Sequence, residues 1–484
     1  MFVRAVLLGV LLGTGSVAAA QTPRDLVGRA VAAMGGAERL RGINSLTTEF
    51  YTATFAVGQE ETPASRPRAQ IAIGRNNTDY RNSRRVGTIE LRTVAGQVNQ
   101  LRRVTAGGIG MLETNGRQAP VGLGATTGEL AALRRAPERL LLAAWDNPSS
   151  LVLLPRKGWR GQQLPGVRYA QGPDTLDLYF DPVTALLTVT EQVADDAVLG
   201  DRHTAGWFSR WQETGGVKFP RQYDVEWNGR HQTHSVITAV TVNPDLPDSL
   251  FVIPDSIAAR APRPPATPTP PTVVVQLVEL APGVWRAEGG SHHSLVVEQP
   301  TRLVVIEAPQ NATRSKAVLD TLRRRFPGKP VRLAVNTHHH WDHSGGVRGY
   351  LAAGIGLVTH AGNADFIGEI ARAPKAVAPD GLGARPRSPL QLARDSLVIG
   401  TGDSRVVLYE LPTVHVQGML AAYVPAARIL FNSDVLTPGP TLAPAGSAEI
   451  VALVRARGIT VERVVGGHGG IANWQDVVAA AASP

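Results

Sequence analysis

The sequence predicts a two-part α/β protein: a mainly antiparallel β domain opened by a helix, followed by a layered sandwich in which helices cover sheets. Three observations carry this. The chain has 484 residues, 43% of them hydrophobic, which is more than one compact domain usually holds and enough to build cores. Residues 259–272 read ARAPRPPATPTPPT, six prolines without apolar periodicity, a composition that favours an extended, semi-rigid spacer. On either side of that spacer the hydrophobic pattern differs, with short alternating runs before it and mixed strand and helix periods after it.

Composition narrows the function. The absence of Cys excludes disulfides, thiolate nucleophiles and Cys-containing zinc sites. Lys and Arg outnumber Asp and Glu 49 to 40, a net charge of +9, but the basic residues are mostly Arg scattered singly, apart from the run Arg323-Arg324-Arg325. That pattern predicts a cationic surface rather than a nucleic-acid site. Residues 1–20 combine Arg4, an apolar run from Ala5 to Leu12 and the small residues Ala18-Ala19-Ala20. This is the pattern of a secretory signal cleaved near Ala20-Gln21, so a periplasmic or secreted protein is expected. The apolar run is too short to span a bilayer, and no later stretch is long and apolar enough, so no stable membrane insertion is expected.

Residues 21–258 form the predicted β-rich domain. Leu26, Val27, Ala30, Val31 and Met34 are spaced for one helix face, and Gly35-Gly36 stops it. Short strands are expected from there on. Gly215-Gly216 and Asn228-Gly229 are placed as hairpin turns between alternating runs. A helix followed by a curved antiparallel sheet, closing on Phe251-Val252-Ile253-Pro254, resembles the half-barrel of periplasmic lipoprotein-carrier domains. That resemblance implies an apolar ligand. His203, His231 and His234 lie here and are expected to have surface or packing roles, without an accompanying carboxylate.

Residues 273–484 form the predicted sandwich domain. Strands are expected at 273–280, 283–288, 294–299, 302–307, 331–336, 355–359, 405–411, 419–424, 427–432 and 461–465, with helices near 312–326, 345–352, 363–372, 447–457 and 472–482. A Pro- and Arg-rich loop is expected over 373–390. The chemistry concentrates where the strand VRLAV runs into Asn-Thr-His338-His339-His340-Trp-Asp342-His343-Ser-Gly345-Gly346. Five potential metal ligands fall within six residues, ahead of a Gly pair that permits a tight turn. Side chains two apart in an extended segment point the same way, so His338 and His340 can grip one cation while Asp342 and His343, past the bend, face another. Imidazole and carboxylate are the donors that zinc takes without thiolate, and iron or manganese accept them too.

This H-x-H-x-D-H motif resembles that of the metallo-β-lactamase-fold hydrolases. The likeness continues through His415 in LPTVHVQGML, Asp434 in RILFNSDVL and His468 in VVGGHGG, each following an apolar strand. Over about 274–480 the resemblance implies a four-layer αββα sandwich and two divalent cations, zinc foremost. His338, His340 and His415 would bind the first and Asp342, His343 and His468 the second, with Asp434 bridging. It further implies hydrolysis of a small molecule's ester, lactone, thioester or amide bond by a metal-bridged hydroxide, with Asp342 orienting the water and taking its proton. Glu307 stands where many members have Asp, which suggests that it orients a ligand histidine. His292, His293 and His360 have either pocket-mouth or packing roles.

Departures narrow the class. The true lactamases carry Cys or Ser where Asp434 stands. Glyoxalase-II-like thioesterases share Asp434 but add a helical C-terminal domain, whereas this sequence ends 16 residues after His468. The second His motif of the tRNA-processing nucleases is not found. Two alternatives remain open: a mononuclear iron enzyme resembling persulfide dioxygenases, and a lipid or ligand carrier whose metal domain is structural.

Overall fold

The computed structural model describes residues 22–172, 174–264, 273–384 and 389–483. The predicted export signal and residues 265–272 of the predicted spacer lie outside them.

The opening helix, Pro23–Met34, starts with a reciprocal cap. Thr22 Oγ1 accepts from the Asp25 amide and the Asp25 carboxylate accepts from the Thr22 amide, both at 3.1 Å. Its buried face is Leu26, Val27, Ala30, Val31 and Met34, as the spacing predicts. Among the described residues of this domain, thirteen strands join in one sheet, from Arg117–Pro120 at one edge to Leu151–Trp159 at the other. At its middle, Ser45–Phe55 pairs antiparallel with Ala69–Asp79 on one side and Arg230–Val242 on the other. Asn228 (φ 47°) and Gly229 (φ 78°) turn the hairpin between Gln222–Trp227 and Arg230–Val242, matching the hairpin signal in the sequence.

One stretch departs from the expected run of strands. Residues 123–146 form two helices, Leu123–Arg135 and Pro137–Asp146, divided where Ala136 is extended ahead of Pro137. A proline disfavours helix at the residue before it, and its missing N–H suits the first helical turn, so the break and the restart share one cause. Leu140, Leu141 and Ala144 of the second helix pack with Leu26, Val27 and Met34 against Val167, Leu178, Phe180 and Leu187 of the sheet.

The second domain is built of four layers. One sheet runs in the order Gln276–Ala281, Val284–Glu288, Ser294–Glu298, Leu303–Ile306, Val331–Val335, Gly356–His360, Leu390–Ala393. The first four strands are antiparallel and the rest parallel. The other sheet runs Ser396–Ile399, Val406–Glu410, Leu420–Val424, Ile429–Asn432, Arg463–Gly466, Ile471–Asn473. Alternation along Leu303–Ile306 shows how the layers share residues. Val304 and Ile306 face the inner core with Leu408, Leu420 and Phe431, while Leu303 and Val305 face the helix Ala312–Arg325 through Val318 and Leu322. Pro444–Arg457 and Trp474–Ala481 cover the second sheet. The short strands Leu390–Ala393 and Ser396–Ile399 lie between the expected loop at 373–390 and the expected strand at 405–411, and Ile471–Asn473 overlaps the start of the helix expected near 472–482. Each has only three or four residues, too few to show a period, and takes its form from the strand beside it.

The two domains are packed together. Val198, from the first domain, is buried in the outer core of the second with Trp285 and Phe366. The Asp201 carboxylate accepts from the amides of Ala376 (2.8 Å) and Val377 (3.0 Å), and Trp227 stacks on Trp341 with ring centroids 6.4 Å apart.

Candidate metal centre

The strand Val331–Val335 delivers the histidine segment to the mouth of the sandwich, and buried polar side chains hold it there. Asn336, fully buried, donates from Nδ2 to the His338 carbonyl (2.7 Å) and to Ser344 Oγ (3.1 Å). The turn that follows requires Gly345, because a Cβ there would stand 2.0 Å from the Gln310 carbonyl oxygen.

All seven side chains that the sequence singles out come together, in two groups. His338, His340, His415 and Asp434 form one, and Asp342, His343 and His468 form the other, joined there by His292. Asp434 lies between them. Its Oδ2 is 3.2 Å from His415 Nε2 and 3.7 Å from His338 Nε2, whereas its Oδ1 is 2.9 Å from His343 Nε2 and 3.2 Å from His468 Nε2.

Hydrogen bonds at the far side of three of the rings set which nitrogen faces inward. His338 Nδ1 is 3.0 Å from Thr337 Oγ1, His468 Nδ1 donates to the Ser291 carbonyl (2.9 Å), and His343 Nδ1 is 2.9 Å from Ser433 Oγ and 3.3 Å from Glu307 Oε2. Three nitrogens of the first group, His338 Nε2, His340 Nδ1 and His415 Nε2, have no hydrogen-bond partner. Buried polar atoms are rarely left so, and three converging beside a carboxylate are what a divalent cation satisfies. In the second group, His343 Nε2 and His468 Nε2 stand 3.2 Å apart, the approach of two donors that share a cation. The residues present therefore fit metal binding.

Electrostatics agree. Burial, then the neighbouring His343, pushes His338 well below the usual imidazole range, and burial brings His340 down to about 4, so both are neutral, as a ligand must be. Burial also opposes charge on His343, but the Glu307, Asp342 and Asp434 carboxylates outweigh it and hold its pKa well above the ordinary value. Burial alone would raise Asp342 and Asp434. The imidazoles around them instead hold both carboxyls far below the usual range. A cation would take the place of the proton that these carboxylates otherwise draw onto His343.

Glu307 is completely buried at φ +91°, a backbone conformation that side-chain-bearing residues seldom adopt. There its Oε2 accepts from Thr337 Oγ1 (2.7 Å) and Ser433 Oγ (2.6 Å), so it orders both groups from behind. His292 Nε2 is 3.4 Å from Asp342 Oδ2, and its ring centroid is 4.1 Å from that of His468, a placement that the sequence left undecided. His293 and His360 join neither group; His360 Nδ1 accepts from the Gly362 amide. His231 and His234 correct an expectation. Asp224, buried on the adjacent strand, lies 2.6 Å from His234 Nδ1 and 3.8 Å from His231 Nε2, so a carboxylate does accompany them. It came from the neighbouring strand of the hairpin, ten residues away from His234 in sequence.

Sequence reasoning also missed residues from the first domain. Gln59 Nε2 donates to Asp342 Oδ1 (2.8 Å), and the Glu60 carbonyl oxygen lies 3.0 Å from both His339 Nε2 and His340 Nε2. Nothing in the local pattern of residues 56–65 signals this, because the reach is about 280 residues and one of the contacting atoms is backbone.

Residues 287–468 match the family model described as the metallo-beta-lactamase superfamily. The chain is 26% identical over 165 residues to the 2,4-dinitroanisole O-demethylase subunit alpha of Nocardioides sp. (strain JS1661); the match covers 33% of this chain and 45% of that relative. Among solved structures it is similar to a metallo-beta-lactamase from Pontibacter korlensis (17% identity, TM-score 0.35, 42% of this chain and 95% of that one). It is also similar to the metallo-beta-lactamase FIM-1 from Pseudomonas aeruginosa in its mono-zinc form (16% identity, TM-score 0.35, 44% and 95%).

Proposed function

We propose that the protein is an exported, dinuclear metal-dependent hydrolase acting on an ester, lactone, thioester or amide bond of a small molecule. The observation that carries this reading is the convergence of His338 Nε2, His340 Nδ1 and His415 Nε2 on one side of Asp434, with His343 and His468 on the other. His338, His340 and His415 would hold the first cation, Asp342, His343 and His468 the second, and Asp434 both. Bound there, such cations supply Lewis acidity and bring the pKa of a bound water toward neutrality.

The side chains do the rest. Asp342 is fixed through Oδ1 by Gln59, which leaves Oδ2 facing the second group. Because it stays ionised, it can accept a hydrogen from the attacking water and so aim the oxygen lone pair. The water oxygen adds to the acyl carbon, the bond to the leaving oxygen, sulfur or nitrogen breaks, and the leaving atom takes up a proton.

Elemental analysis of the purified full chain is expected to find about two zinc ions per molecule. Asp342→Asn is expected to lower hydrolysis of ester, lactone or thioester probes by about a hundredfold or more. Wild-type protein without metal, or an Asp342→Asn variant as active as wild type, overturns the reading. A single iron with oxygen uptake on a persulfide is the outcome that the dioxygenase alternative requires.

A cavity of about 650 Å3 in the first domain, lined by Tyr80, Leu130, Leu133, Leu140, Ala143 and Tyr169 among others, favours an apolar ligand there. Its occupant would be presented to the metal centre or carried. Co-purified lipid extracted from the full chain tests this, and an empty extract counts against it. Export is tested by N-terminal sequencing of the secreted product, expected to begin at Gln21.

A further inference from the structure

Residues 56–65 belong to the connection between the strands Ser45–Phe55 and Ala69–Asp79 of the first domain, yet this loop makes contacts on the histidine segment of the second. The Trp341 amide donates to the Gly58 carbonyl (3.1 Å), and Glu60 O meets His339 and His340. The Gln417 amide donates to the Glu61 carbonyl (2.9 Å), and Gln417 Nε2 to Glu61 Oε1 (2.8 Å). Gln417 lies two residues beyond His415, so one loop grips both segments that carry the histidines of the first group. The loop is itself braced. The Glu60 side chain is buried and its Oε2 accepts from the Gly58 amide (2.9 Å). Gly58 sits at φ +87° so close to Trp341 that a Cβ would stand 2.4 Å from the indole ring.

We propose that this loop is a working part of the metal centre, with Glu60 and Gln59 as positioning residues supplied by the N-terminal domain; the proposal rests on the dinuclear reading above. The physics is that of a tautomer lock. A carbonyl oxygen can only accept, so His340 Nε2 must carry the proton, and Nδ1 is left as a lone pair toward the first group. Without Glu60 O, either nitrogen could be protonated and the ring could turn. Gln59 acts on the carboxylate. Asp342 is the more exposed of the two central carboxylates, with 41% of its side chain accessible, and the amide at Oδ1 keeps it from rotating into solvent. Partners that orient metal ligands in this way typically contribute about ten- to a hundredfold in metal affinity.

The test is zinc affinity of the full-length protein by competition with a chromophoric chelator, together with the visible spectrum of the Co2+-loaded form. Circular dichroism of each metal-free variant checks the fold. Glu60→Ala removes the brace behind the carbonyl, and Glu60→Gln keeps an acceptor for the Gly58 amide. Glu60→Ala is expected to bind zinc about tenfold or more weakly, with a shifted Co2+ spectrum, and Glu60→Gln to recover most of the affinity. Gln59→Ala, on an accessible side chain, is expected to weaken the second zinc and leave the first within about threefold. Wild-type binding by Glu60→Ala and Gln59→Ala with two zinc ions retained overturns the inference alone. Failure of the wild type to bind zinc overturns the dinuclear reading as well. Equal loss in Glu60→Ala and Glu60→Gln also counts against it, because a merely structural loop would not distinguish them.

Discussion

At the residue scale, Glu307 shows how a buried carboxylate is put to use. Among the described residues no Lys or Arg hydrogen-bonds to it; two hydroxyls, the Ala308 amide and the His343 ring satisfy it instead. Replacing it by Ala removes the acceptor that the Thr337 and Ser433 hydroxyls share and one of the two contacts that hold His343 Nδ1. Glu307→Ala is therefore expected to lower stability by about 1–3 kcal/mol and zinc affinity by about tenfold or more, read by denaturant melts and by metal titration. Glu307→Gln, which keeps one acceptor oxygen, should recover part of both. Gly345 makes a steric prediction. Its missing side chain lets the segment carrying Asp342 and His343 approach the Gln310 carbonyl, and Gly345→Ala must move one of those backbones. Loss of metal together with lowered thermal stability is the expected result; an unchanged melt would show that the turn can shift at no cost.

At the scale of elements, the contact between the Asp201 turn and residues 373–377 has a pH signature. The amides of Val377 and Ala376 lower the Asp201 pKa below its ordinary value, with Lys375, ion-paired to Asp195, nearby. A carboxyl whose pKa is depressed on folding adds stability above its unfolded value, about 3.9, and loses it as pH falls through the folded value. Asp201→Asn is therefore expected to melt below wild type at pH 7, with the gap closing as the pH drops under about 4, which paired melts across that range would show. The opening helix of the first domain was legible because five apolar residues at helical spacing, stopped by Gly35-Gly36, act over a short stretch of chain. The helices Leu123–Arg135 and Pro137–Asp146 were not, because Pro137 interrupts their period and each half alone is short. The edge strands of the sandwich were missed for the same reason.

At the scale of the whole molecule, the first domain contributes Val198 to the core of the second and loop 56–65 to its metal segment, so the two should respond to metal together. Ligand binding to the folded state alone stabilises it by about 4 kcal/mol at a thousandfold excess over the dissociation constant. Chelation is expected to lower the melting temperature of a single calorimetric transition. A separate first-domain transition that chelation leaves in place would show that the domains are coupled weakly. The sequence by itself determined the order of the two domains, the helix that opens the first, the alternation that builds the layers of the second, and the histidine and carboxylate residues that the two groups gather. Apart from His415, Asp434 and His468, which only the likeness to the metallo-β-lactamase-fold motif picked out, those features arise from short-range geometry: the two-residue period of a strand, the 3.6-residue period of a helix, and a tight turn that brings near neighbours to one point. Only the tertiary structure decided that His292 joins the second group, that Asp224 stands beside His231 and His234, and that a backbone carbonyl at Glu60 orients His340. Each of these depends on which strands pair and how the domains dock, and a carbonyl group, being common to every residue, leaves no mark in a sequence.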